Sequence, residues 1–384
     1  MPRNMYLSLS VAALSLIPLS ACSIEEKGEQ NVVQAPEAKL DPMLSNDDPG
    51  AKLAAEDMSR PLMQAQVVMD RLGFTPGVVD GKMGMSTKNA LKGFQEARGL
   101  PITGELDPAT AQALAEWKHI PATRVVTITE QFANDQFVTI PKDRKDQAKL
   151  EKMGYSSLAE KIAERFHTTD EVLADLNPEL TGGVAMPADT QAGGNDSAPT
   201  PKPSIAYKAG MQLRVPNIGA DKFDPASVKD PKWADTLRLL GVGTEQPKAA
   251  SLEVDKSDEV LRVLDADGKL IAQYTATMGS SQFPLPLGTW KILAVGHNPP
   301  WQYNPALLAN ADKSDPKLEI PSGPNSPIGV VWLDLSKEHY GIHGTDEPSH
   351  IGRAESNGCI RLTNWDAARL AQMVSPGIKA VFKA

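Results

Sequence analysis

Partway along this chain the spacing of its apolar residues changes, and that change limits the fold more than any other feature. Between about residues 57 and 118, apolar side chains recur at helical spacing. From Leu252 onward they alternate with polar ones, as they do on half-buried strands. A single layer cannot satisfy both patterns, so the 384 residues are expected to form a multidomain α+β protein of two to three domains.

The helical stretch divides into three. Leu62, Met69 and Leu72 share one face of the first helix, which Gly73 ends, and Asp80-Gly81 marks a turn. The second starts at Ser86 as its cap and groups Ala90, Leu91 and Phe94. The third has Asp107 as cap and Pro108 at the first helical position, followed by Ala111 and Leu114.

The middle of the chain, about 122–219, opens with the β-rich run RVVTITEQFANDQFVTI. Two short helices follow, the first with Leu158, Ile162 and Phe166 on one face and the second capped by Asp170. KAGMQLRVPNIG comes later, after a Gly/Ala/Pro/Ser-rich insert at about 187–204 that reads as a loop.

In the last region, 251–384, Leu252, Val254, Val260 and Val263 alternate with polar residues, and Ala266-Asp267-Gly268 turns the chain into KLIAQYTATMG. LGTWKILAVG and IGVVWLDLS give further strands and NWDAARLAQMV a short amphipathic helix. A β-sandwich or a mixed sheet is expected.

Cysteine usage and charge then narrow the chemistry. Only Cys22 and Cys359 are present, nearly the whole chain apart, which excludes a disulfide framework. No Cys/His cluster has ligand spacing for a structural zinc, so no metal or other cofactor is expected. With 39 basic against 48 acidic residues and a net charge of −9, the chain lacks the basic stripe that a nucleic acid requires. Cys359 follows His343 by sixteen residues in GIHGT…SNGCIRL. An imidazole can take the thiol's proton and leave a nucleophilic thiolate. Gly358 permits a tight turn before the cysteine, and amides at that turn could stabilise an oxyanion. By itself one His and one Cys is a thin signal, and a buried structural cysteine accounts for it about as well. Among the other histidines, His297 could line a cleft near Pro299-Pro300-Trp301. His350 reads as exposed in a loop, and His119, His167 and His339 as surface or half-buried residues.

At the amino terminus, Tyr6–Ala21 is an apolar run of 16 residues after Arg3, shorter than the roughly 20 residues of a membrane span. It reads as a secretory signal. Leu19-Ser20-Ala21-Cys22 resembles the lipobox of bacterial lipoproteins. That resemblance implies cleavage after residue 21, lipidation of Cys22 and anchoring in a membrane through acyl chains. Residues 22–56 are polar and read as a tether. Ser23 after the cysteine, rather than aspartate, implies the periplasmic face of the outer membrane.

Three further resemblances follow from quoted motifs. The string from LGFTPGVVDGKMG to ELDPATAQAL, within 57–118, resembles the three-helix peptidoglycan-binding domain through Asp80-Gly81, Gly84, Thr87, Phe94-Gln95, Gly104 and Asp107. The two helices and flanking strands of 122–219 resemble most of a lysin-motif (LysM) domain. PLPLGTWKI, NPPWQYNP, IPSGPNSPIGVVWLDL, YGIHGT and SNGCIRL occur in the order typical of the L,D-transpeptidase catalytic domain. This last resemblance implies an enzyme that cross-links peptidoglycan stem peptides through a cysteine acyl-enzyme. Cys359 is then the nucleophile, His343 the general base, and the Gly344 carbonyl the group that orients the imidazole. Ser356, Asn357, Gly358 and Arg361 shape the site or contact substrate. Asn357 stands where the family often has histidine. The donor would be a tetrapeptide stem attacked at its third, diamino-acid residue with release of the terminal D-alanine. The acceptor is left open among a second stem's amine, a protein lysine and water. The competing expectation is a non-catalytic lipoprotein that tethers membrane to wall.

Overall fold

The computed structural model describes residues 44–45, 59–181, 204–219, 222–308, 311–353, 356 and 358–384. The signal, Cys22, the tether apart from 44–45, most of the 187–204 insert and Asn357 lie outside the described residues. All the described residues belong to one unit, Leu40–Ala384. In chain order its main elements are β1 (Leu44–Ser45), α1 (Pro61–Arg71), β2 (Phe74–Thr75), α2 (Met85–Ala97), α3 (Pro108–Leu114), β3 (Thr123–Ile128), α4 (Glu130–Ala133), α5 (Arg144–Gln147), α6 (Leu158–Arg165), α7 (Asp170–Leu176), β4 (Gln212–Pro216) and α8 (Pro231–Leu239). The last region adds β5 (Ser251–Asp255), β6 (Val260–Leu264), β7 (Leu270–Thr275), β8 (Thr277–Met278), β9 (Gly288–His297), β10 (Trp301–Tyr303), β11 (Leu318–Ile320), β12 (Val331–Leu335), β13 (Gly341–His343), β14 (Ile360–Arg361), α9 (Asn364–Met373) and β15 (Lys379–Lys383).

The helical module forms as its caps and spacing predict, with two adjustments. Asp107 caps α3 by accepting from Thr110 N at 2.8 Å. Ser86 does not cap α2: the cap lies two residues earlier, at Gly84, and the helix begins at Met85. Helix α1 buries more than the one expected face. Ala65, Val68 and Met69 pack with Leu91 and Phe94 of α2, while Met63 and Val67 pack with Val172 and Leu176 of α7 and with Ile218. A helix apolar on both sides is covered on both sides. Each fully buried side chain of this size contributes about 1.5–3 kcal/mol, so the second face ties the helical module firmly to the middle one.

In the middle module, β3 pairs antiparallel with β4, from Thr123↔Pro216 to Thr127↔Gln212, and β1 pairs with the other edge of β3. Helices α6 and α7 lie between β3 and β4 in sequence, and their faces close over Val126, Ile128, Leu213 and Val215. Thr169, not Asp170, caps α7 by accepting from Val172 N at 3.3 Å; Asp170 is the first helical residue.

The strands of the last region pair both parallel and antiparallel, as expected of a β-rich catalytic domain. The sheet's hydrogen-bonded order is β2-β7-β6-β5-β15-β9-β12-β13-β14-β8. The Asp265–Gly268 turn joins β6 to β7 as expected, Asp265 Oδ1 accepting from Asp267 N at 3.0 Å and Lys269 N at 2.9 Å. Strand β2 at one end comes from the helical module, pairing Phe74↔Gln273 and Thr75↔Tyr274 in parallel. Helix α9 covers the sheet with Trp365, Ala368 and Leu370, packed among Leu252, Val263, Ile342 and Ile360.

Three modules meet at a buried ion cluster. Asp70 of α1, 1% exposed, accepts from His167 Nδ1 at 2.9 Å and from Arg369 Nη2 of α9 at 3.1 Å. Arg369 Nη1 also donates to the Asp70 carbonyl at 2.9 Å. The other ring nitrogen of His167 faces the Leu240 carbonyl at 2.8 Å, and the ring stacks on Trp365. His167 is thus fully buried, contrary to the surface or half-buried position expected for it. Burial would raise the Asp70 carboxyl, but His167 and Arg369 outweigh it and pull it down to about 2.

Candidate active site

Two strand ends deliver the expected pair. Strand β13 pairs antiparallel with β12 (Trp332↔His343) and parallel with β14 (Ile342↔Ile360, His343↔Arg361). Side chains alternate across a strand. Ile342 and Ile360 therefore enter the core, and His343, Cys359 and Arg361 line a cleft of about 760 Å³ together with Trp301, Trp332 and His339. That volume suits a peptide-sized ligand.

The His343 ring is buried and stacked near Trp332, with centroids 5.4 Å apart. Its Nδ1 donates to the Gly344 carbonyl at 2.7 Å. A carbonyl only accepts, so Nδ1 carries the proton and Nε2 keeps the lone pair. Gly344 is itself confined: a Cβ there would lie 2.2 Å from Asn364 Oδ1. That oxygen accepts from Thr345 N at 3.2 Å and Val330 N at 3.3 Å. The Asn364 Nδ2 donates to Glu164 Oε1 at 2.8 Å and to the Pro324 carbonyl at 3.1 Å. The loop that fixes the histidine tautomer is thereby held by α6 of the middle module. Glu164 is buried, which raises its carboxyl to about 7 against the pull of its hydrogen bonds from Tyr155 and Asn364.

The turn before Cys359 is built by Ser356 and Gly358. Ser356 Oγ donates to the Cys359 carbonyl at 2.6 Å and accepts from Gly279 N at 2.6 Å and Gly358 N at 3.2 Å. Gly358 has φ +99°, and a Cβ there would meet Tyr340 Cε1 at 2.6 Å, so no other residue fits without a shift.

Burial raises the Cys359 thiol, against the Gly341 backbone and the Arg361 charge, which lower it. Burial also drives His343 down to about 3, and the like charge of Arg361 adds to this. Burial thus disfavours charge on both members of the pair.

The structure brings Cys359, His343, Gly344, Ser356, Gly358 and Arg361 together. His297 stacks on Trp233 at 4.2 Å instead of lining this cleft. His350 is exposed beside Glu347, as expected of a loop residue. Four residues of the site escaped the sequence reading. His339 lines the cleft with φ +68°, its carbonyl 4.0 Å from Cys359 Sγ. Arg144 comes from the middle module, and Asn364 and Glu164 support the loop from behind. His339 directly precedes YGIHGT and Asn364 opens NWDAARLAQMV, but neither motif assigns them a role. Among the described residues, no group of His, Cys, Asp and Glu could hold a metal ion.

The sequence is similar to known proteins. Residues 249–382 match the family model "L,D-transpeptidase catalytic domain", and residues 61–114 match "Putative peptidoglycan binding domain". A Bacillus licheniformis protein named "Putative L,D-transpeptidase YkuD" is 55% identical over 220 residues, covering 57% of this chain and 90% of that protein. Its Bacillus subtilis namesake is 54% identical over 56 residues, 15% of this chain and 34% of its own length. A Fuscovulum blasticum protein, "Putative L,D-transpeptidase in ATP synthase subunits region ORF 5", is 28% identical over 182 residues, covering 46% of this chain and 90% of that protein.

Proposed function

The chain belongs to the L,D-transpeptidase family and is a peptidoglycan transpeptidase, and we propose that it works through an acyl-enzyme on Cys359. The observation that carries this reading is the fixed tautomer of His343, whose basic Nε2 belongs to the same cleft as the thiol. Burial disfavours charge on both groups, which favours moving the proton from sulfur as sulfur attacks. Cys359 Sγ adds to the carbonyl of the third stem residue while His343 Nε2 takes the thiol proton. The tetrahedral oxyanion collapses, the bond to the terminal D-alanine breaks, and His343 returns its proton to the departing amine. Arg361 favours the developing thiolate and opposes a long-lived imidazolium, since it lowers both groups. An acceptor amine then gives its proton to His343 and attacks the thioester, forming the new amide and freeing the thiol. A second stem as acceptor gives a 3→3 cross-link, a protein lysine a protein–wall linkage, and water a carboxypeptidase product.

The accessory parts fit work at the wall. The helical module is a peptidoglycan-binding domain by its family match. The middle module, with two helices between antiparallel strands, supports a LysM-like second contact with glycan. Cys22 is the proposed lipid anchor, and the periplasmic face of the outer membrane the proposed address. Incubation with purified tetrapeptide muropeptides and mass analysis tests the chemistry. Cross-linked dimers with loss of D-alanine are expected, and a wild-type protein that forms neither product nor adduct refutes it. Cys22→Ser should leave the membrane fraction after the wall is digested; retention there refutes the anchor.

A further inference from the structure

One wall of the catalytic cleft comes from outside the catalytic domain. Arg144, the first residue of α5, lines the cleft that holds Cys359 and His343, although the family match begins only at residue 249. It is fixed in place. Its Nη1 donates to Gln147 Oε1 at 2.7 Å, and the buried Gln147 donates in turn to the Pro141 carbonyl at 2.7 Å. Its guanidinium carbon lies 5.1 Å from the centre of the Trp301 ring, a cation–π contact. The segment carrying it is pinned to the catalytic domain. Met153 N donates to the Ser322 carbonyl at 2.9 Å and Asn325 N to the Met153 carbonyl at 3.0 Å, and Met153 packs with Tyr303 and Ile320.

The charge around this side chain is unbalanced. Among the described residues, no carboxylate stands within ion-pair distance of Arg144. Arg361, also lining the cleft, has its Nε buried without a hydrogen-bond partner. Lys317 is the third cation of the lining. Of the two lining carboxylates, Glu319 already accepts from Gln302 at 2.6 Å, and the other is Asp334. Asp346, outside the lining, acts on neither arginine except through space. In a chain of net charge −9, a cleft with three cations to two carboxylates and guanidinium donors left over is built for an anion. A fixed fork of N–H groups matches a carboxylate.

We infer that Arg144 is a specificity-determining residue that binds a free carboxylate of the stem peptide, so that the middle module reads the substrate for the catalytic one. The inference rests on the transpeptidase reading above. Two carboxylates are open to it: the C-terminal one of the donor and, where the third residue is a diamino diacid, the one on its side chain.

The test compares the full-length wild type and R144A on three disaccharide–tetrapeptides: the free acid, the C-terminal amide and the side-chain amide. Turnover is read as kcat and KM, and acylation of Cys359 as intact mass. Losing a charge-assisted hydrogen bond should raise KM for the free acid by about 10- to 100-fold with kcat little changed. The amide that removes the contacted carboxylate should bind equally poorly to wild type and R144A, which identifies the group. R144K keeps the charge without the fork and should recover part of the loss. Should R144A fail to fold, R144K and R144Q are compared in the same way. An equal loss on all three substrates, or none, overturns the inference and leaves Arg144 as packing for Trp301. A wild type that acylates on none of them overturns the transpeptidase reading itself, and this inference with it.

Discussion

Replacing Asp70 with Asn removes the carboxylate that pairs with both His167 and Arg369 where three modules meet. Asp70 faces His167 and Arg369, and all three are buried. In Asp70→Asn the histidine can adapt, donating to the Leu240 carbonyl and accepting from the new amide. Arg369 cannot, because a guanidinium does not deprotonate. Leaving one buried charge without its partner costs about 3–5 kcal/mol. The adaptation of His167 puts the expected loss near the lower end, about 3 kcal/mol. The dependence on pH supplies a second signature. The folded Asp70 carboxyl sits at about 2, below its ordinary 3.8. It therefore contributes stability that is complete above pH 4 and is lost as the pH falls from about 4 to about 2. The lowering corresponds to roughly 2 kcal/mol. Urea unfolding of the full chain, followed by tryptophan fluorescence at several pH values, measures both, since Trp365 stacks on His167. The difference between wild type and variant should shrink as the pH falls from 4 to 2. A variant within 1 kcal/mol of wild type at pH 7, with the same acid slope, would refute the view that this cluster stabilises the fold.

Three other outcomes follow from the site and its supports. Cys359→Ala should abolish turnover and the acyl-enzyme seen by intact mass, and His343→Ala should slow turnover by about 10²–10⁴-fold; full activity in either variant sinks the mechanism. Gly344→Ala should lower kcat with a small change in fold stability, because its Cβ would collide with Asn364 Oδ1 at 2.2 Å and displace the carbonyl that fixes the His343 tautomer; unchanged kinetics would contradict that. Both Asp366 carboxyl oxygens are buried without a hydrogen-bond partner, and burial raises the group to about 6. The folded state then holds a proton that the unfolded state releases near pH 4, so stability falls as the pH rises from 4 to 6. Asp366→Asn should gain about 1–3 kcal/mol at pH 8 and nothing at pH 4; chemical denaturation at the two values checks it.

What could be read from the sequence was local. The Asp107 cap, the Asp265–Gly268 turn and the alternation of Leu252, Val254 and Val263 depend on neighbours a few residues away, and they formed as expected. The pair His343 and Cys359 was legible only through the family resemblance of the ordered motifs around it, since by itself one His and one Cys is a thin signal. What escaped depends on separations that leave no periodic trace. Asn364 bonds to Glu164 across 200 positions, and Arg369 to Asp70 across 299. Arg144 looks like an ordinary solvated residue until its segment is seen pinned beside Trp301. His167 was misjudged for the same reason: its two acceptors, Asp70 and Leu240, are 97 and 73 residues away. The extra buried face of α1 did leave a trace, in Met63 and Val67, but a face is legible only when its partner is known.

The two residues of β2 carry a consequence for handling this protein in pieces. They occupy the outer side of β7, so the sheet ends on a strand borrowed from the helical module. A fragment cut at the catalytic boundary, residue 249, would lose that cover. The backbone donors and acceptors along Gln273 and Tyr274 would then stand open, beside Ala272, which packs in the sheet's core. An uncovered edge of this kind invites a second copy to pair with it. The isolated catalytic fragment is thus expected to self-associate through an edge that the helical module covers in the full chain.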